Sequence, residues 1–164
     1  MAEFYPWWVY LHVFGAFAFV FAHGASAIVA FRLRGARDVA EVRTLLDLSQ
    51  VSIGVMYIGL LLLLVGGIVA GLVGDHFSRG WIWASLVLLI VTIVAMYMLA
   101  TPYYGRLREA VGARTGDADT PVPDPSMSAQ DLAALVGGSR PFLLAAVGLA
   151  GFVVILWLMI LKPF

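Results

Sequence analysis

Cysteine is absent from the 164 residues, which removes disulfides, thiolate-bound metal and iron–sulfur ligation from consideration. Charge is scarce. Asp, Glu, Lys and Arg make up 12% of the chain, where a soluble domain carries about 25%. Basic residues are missing from the whole N-terminal region, the first being Arg32. A secretory signal peptide needs a basic n-region and an apolar run of only about 7–15 residues. Neither is found, so the first apolar segment is expected to stay in the protein. The net charge is zero and gives no reason to expect nucleic acid or any strongly charged partner. Standard catalytic signatures are missing too: no HExxH, P-loop, GxSxG or dinucleotide fingerprint.

What is present is apolar and continuous. Four stretches contain no Asp, Glu, Lys or Arg: Phe4 to Phe31, Leu48 to Gly74, Gly80 to Gly105, and Pro141 to Leu161. Each exceeds the roughly 20 residues that carry an α-helix across a ~30 Å hydrocarbon core. Transmembrane strands would be shorter and would alternate in polarity. The fold class expected is all-α: a polytopic membrane protein with a four-helix bundle over about residues 7–31, 50–73, 81–101 and 141–161.

The ends of these helices have their own signals. Pro6 suits a first helical turn, where its missing N–H costs nothing. Tyr5, Trp7, Trp8 and Tyr10 form an aromatic belt, as do Tyr103 and Tyr104 beyond Pro102. Asp38 to Glu41 has the spacing of a capping box. Val39, Val42, Leu45 and Leu46 then follow at helical spacing, an amphipathic lead-in to helix two. Ser128 to Asp131 resembles a second capping box, opening a short helix (Leu132, Leu135, Val136) closed by Gly137 and Gly138. Residues 115–127 read as a mobile linker. Gly74 to Gly80 reads as a tight turn with His76 in solvent. Eight of the ten basic residues follow helices one and three, and only Arg79 and Lys162 lie on the other side. The positive-inside rule then places both termini outside a bacterial plasma membrane and the long connections in the cytoplasm.

Two histidines, His12 and His23, sit inside the first span. Ionisable groups there are candidates for function because burying them is expensive. Eleven residues apart, they fall within about 20° of three full helical turns and ~16 Å of rise, on one face. One reading makes them cofactor-binding residues for haem b or a redox metal, since imidazole is a common ligand for both. No other span holds a histidine, so second axial ligands would come from Met56, Met96, Met98 or Met159, from His76 reaching in, or from a second copy of the chain. The other reading makes each histidine interhelical glue, bonded to Ser52, Ser85, Thr92 or a carbonyl. Small residues mark packing seams: Ala18, Ala22, Ser26 and Ala30 on helix one; Gly67-Ile-Val-Ala-Gly71 with Gly59 and Gly66 on helix two; Ala145, Gly148 and Gly151 on helix four.

Three stretches together resemble a family of small four-helix bacterial integral membrane proteins described as a domain of unknown function. They are Trp8-Val-Tyr-Leu-His-Val-Phe-Gly15, His23-Gly24, and Met96-Tyr-Met-Leu-Ala-Thr-Pro-Tyr-Tyr104. The resemblance implies the fold and carries no activity with it. The Leu11 to Gly15 segment is also similar to the opening helix of copper-resistance-D-like membrane proteins and related haem-associated proteins. Two functions stay open on this reading. One is a non-enzymatic accessory, scaffold or assembly component, in a homo-oligomer or a larger membrane complex. The other is a small b-type haem or metal redox protein using His12 and His23.

Overall fold

The computed structural model describes residues 2–113, 128–138 and 140–164. They form α1 (Tyr5–Leu33), α2 (Val39–Val73), α3 (Gly80–Ala110), α4 (Ala129–Val136) and α5 (Arg140–Leu161), with short 3-10 turns at Ala2–Phe4 and His76–Ser78. Four of these segments are long and apolar enough to cross a membrane. The expected linker at 115–127 lies outside the described residues.

Both caps form where the spacing placed them. The Asp38 carboxylate accepts from the N–H of Ala40 at 3.2 Å. The Ser128 hydroxyl accepts from the N–H of Asp131 at 3.2 Å and donates to the Asp131 carboxylate at 2.6 Å. The lead-in and helix two are one uninterrupted helix of 35 residues. Helix three is longer than the sequence suggests: it was expected to end near Thr101, and it runs through Pro102 to Ala110. Proline removes one ladder hydrogen bond, the one to the Met98 carbonyl, but the turns around it can be braced by side-chain donors. Here Arg140 of α5 donates to the carbonyl of Leu99 at 3.3 Å, and Arg106 donates to that of Pro102 at 3.1 Å. The continuation also carries Leu107 and Val111 into full burial.

α1 lies along α2, α3 lies along α5, and α1 also meets α5. The first pair is held by glycines at backbone distance. A Cβ built on Gly59 would lie 2.6 Å from the backbone N of Phe19, and one on Gly66 would lie 2.5 Å from that of His12. Gly15 meets the backbone at Leu62 and Leu63 in the same way. Gly67 and Gly71, the GxxxG of the sequence, face side chains instead: His12 for the first, Phe77 and Ile82 for the second. The closest seam is thus Gly59–Gly66, one heptad apart, against Gly15.

Beyond the arginine-rich ends of the spans lies a separate apolar core. Val29, Leu33, Ala36, Val42, Leu46, Leu107, Val111, Ala113, Leu132 and Val136 are all buried there. Arg43 Nε and Arg108 Nη2 tie it together by donating to the carbonyls of Val111 (2.6 Å) and Leu46 (2.7 Å).

Candidate functional site

α1 presents its two histidines to different neighbours. His12 rests on Gly67 of α2, where the absence of a side chain makes room: a Cβ at Gly67 would sit 2.6 Å from Nδ1. Its Nδ1 is 2.8 Å from the carbonyl of Leu63. A carbonyl only accepts, so Nδ1 carries a proton, and in the neutral imidazole the lone pair is on Nε2. His23 turns towards α5. Its ring stacks on Phe19, with centroids 6.0 Å apart and planes 4° apart, and a Cβ on Gly148 would lie 2.6 Å from its Nε2.

The hydroxyls considered as histidine partners serve their own helices. Ser52, Ser85 and Thr92 donate to the carbonyls of Leu48, Trp81 and Leu88, each one turn back. Thr92 also packs on Gly151, where a Cβ would lie 2.5 Å from its Oγ1. Hydroxyls in an apolar span have no water to bond, and the i−4 carbonyl is the nearest acceptor. That local option takes them away from the histidines.

His76 is not the solvated turn residue expected from the sequence. Its Nε2 is 3.2 Å from the Tyr5 hydroxyl, and its ring packs against both Tyr5 and Trp81 at centroid distances of 6.3 and 5.8 Å. The turn is tight because Asp75 adopts a left-handed conformation (φ 51°), and this folds the imidazole back against the N-terminal end of α1. Nearby, the backbone N–H of Trp81 donates to the carbonyl of Phe164 at 3.2 Å, and Lys162 Nζ stands 5.5 Å above the Trp81 ring. Of its two ring partners, Trp81 is local, and Tyr5 is 71 residues away in sequence.

Two chemical uses of this arrangement can be compared. A metal held by protein ligands alone needs three or four convergent donors, and no group of three His, Cys, Asp or Glu converges among the described residues. A haem needs an accessible axial nitrogen with a flat slot beside it. At His23 the Nε2 edge is already against α5 at Gly148, which leaves no slot on that side. At His12 the bond to Leu63 orients the ring and leaves Nε2 unspent, which is how ligand histidines are prepared.

Residues 7–163 match the model of a family described as "Predicted integral membrane protein (DUF2269)". The chain belongs to that family. The four spans agree with its description, and the match covers all of them but the first two residues of α1. No curated protein and no solved structure matches the chain, so the likeness of Leu11 to Gly15 to copper-resistance-D-like proteins rests on those residues alone.

Proposed function

We propose that this DUF2269 protein is a non-enzymatic accessory component of the plasma membrane, a scaffold or assembly subunit that packs against another membrane protein or a second copy of itself. One observation carries the reading: most polar groups within the described spans are bonded within or between helices, Ser26 and Tyr103 being exceptions, and they do not converge on a common point. His12 bonds α2, His23 lies against α5, and the hydroxyls bond their own helices. A long apolar face of α3, including Val87, Val91 and Val94, is left exposed for a partner or for lipid. Both termini then face outward and the arginine-rich end faces the cytoplasm, as the basic residues favour. The second reading, a b-type haem or metal protein, is favoured at His12 by its spare Nε2.

The test is a photo-reactive residue at Val91 in native membranes, together with spectra of protein purified from cells supplied with haem and copper. The scaffold reading expects a protein–protein crosslink and a colourless, metal-free sample. Lipid adducts alone would overturn it. A Soret band that moves on reduction, and is lost in His12→Ala, would establish the second reading in its place.

A further inference from the structure

The arginines at the cytoplasm-assigned end divide into two groups. Arg43 and Arg108 have their donors directed at carbonyls of the apolar core. The guanidinium of Arg34, just past the end of α1, makes no hydrogen bond among the described residues, and its Nε is buried without an acceptor. It stacks on Phe142 in the first turn of α5, 4.6 Å from the ring centroid. A second unspent donor lies within its electrostatic reach: Tyr103 of α3 is 4% exposed, and its hydroxyl is also buried without a partner among the described residues. Buried polar groups of this kind are normally paired with protein or ordered water, and no acceptor for these two is supplied by the described residues.

The surroundings narrow what that acceptor is. A planar guanidinium with unspent N–H groups, beside a phenol, matches an oxyanion that takes several hydrogen bonds at once. The place is where α1, α3 and α5 leave the apolar layer, beside Tyr104 and the mutually packed rings of Phe31 and Phe142 (5.0 Å). Both phenylalanines are exposed on their outer side. Phosphates of lipid headgroups lie at this depth, and acyl chains lie directly beneath them.

We propose that Arg34 and Tyr103 hold the phosphate of an acidic phospholipid headgroup at the junction of α1, α3 and α5, with Phe31 and Phe142 against its acyl chains. The half-buried Arg34 meets the phosphate first. The Tyr103 hydroxyl then donates to the same group. The proposal is independent of the scaffold reading, because it concerns lipid and not a protein partner.

Thermal unfolding of the full chain in a neutral detergent tests it, with phosphatidylglycerol, phosphatidylcholine or inorganic phosphate added at equal concentration. Phosphatidylglycerol should raise the Tm by several degrees, and the other two should do far less. Arg34→Gln should abolish most of that increment, whereas Arg32→Gln, an exposed arginine at the same end, should keep it. Tyr103→Phe guards against a variant that merely misfolds. Losing a hydroxyl with no partner, it should be at least as stable as the parent without lipid, yet gain only about half the lipid increment. A full increment in both Arg34→Gln and Tyr103→Phe would overturn the site. Equal shifts from phosphatidylcholine would overturn the acidic headgroup, and equal shifts from inorganic phosphate would overturn the lipid as its source.

Discussion

α2 passes through two environments, and what it buries changes between them. In its first turns, beyond the apolar span, the buried residues are Val42 and Leu46. Further along, within the span, they are Ser49, Ser52, Gly59, Gly66, Ala70 and Gly71. Large residues are inside at one end and small ones along the rest, while Val51, Ile58, Leu61 and Leu72 face outward. The solvent accounts for this. Next to water, covering a leucine removes apolar area from a poor solvent, worth roughly 25 cal/mol per Å². In lipid the surroundings are as apolar as leucine, so burial brings little, and helices associate through close backbone contact and hydrogen bonds. The arginine-rich cap is built like a small soluble core, and the span is built by glycine.

The severest test of this contrast is a single methyl group. Gly66→Ala places a Cβ against the backbone of His12. It should cost about 3 kcal/mol or more by forcing α1 and α2 apart, seen as loss of monodisperse protein after purification. Gly54→Ala, with nothing within 4 Å of its added Cβ, should be neutral or stabilising by up to about 1 kcal/mol. If the two behave alike, the glycine seam does not hold the span together.

Leucine truncation gives the next largest effect and should depend on the environment. Leu107→Ala and Leu46→Ala, both wholly buried in the cap, should each cost about 2–5 kcal/mol. Leu61→Ala, exposed on α2 within the span, should cost about 0.5 kcal/mol or less. Reversible unfolding in mixed micelles would measure all three. Similar losses at the two places would mean that the cap is not a water-facing core.

The smallest effect is expected at His12. Its bond to Leu63 crosses between helices inside the span, and such bonds average under about 1 kcal/mol. His12→Ala should therefore fold and lose about 1 kcal/mol or less in the same measurement. A far larger loss would show that the imidazole organises more than the α1–α2 contact.

Much of the cap was legible beforehand. Val42 and Leu46 on α2, and Leu132 and Val136 on α4, stand out because polar residues interrupt them at helical spacing, and Asp38 and Ser128 mark where their helices begin. Within the spans that contrast disappears. Almost every position is apolar, and periodicity cannot separate a lipid-facing side from a packed one. The GxxxG pair drew attention to Gly67 and Gly71, but the backbone contact is made at Gly59 and Gly66. Both sets are glycines on the same helix, and only the rotation of α1 against α2 distinguishes them. His76 was read as solvated because its neighbours in sequence are polar or turn-forming, whereas its hydrogen-bond partner, Tyr5, lies 71 residues away and is brought to it by the fold.

The sequence by itself determined the number of spans, because crossing hydrocarbon demands a local property: an unbroken apolar run with its own backbone hydrogen bonds satisfied. It also limited the intramembrane ionisable groups to His12 and His23. The tertiary structure decided which neighbour each histidine faces, which glycines touch backbone, and which arginines are left with unspent donors. Those outcomes depend on the relative rotation and separation of helices distant in sequence. In an apolar solvent no difference between the faces of a helix records that choice, so it becomes visible only when the helices are in place.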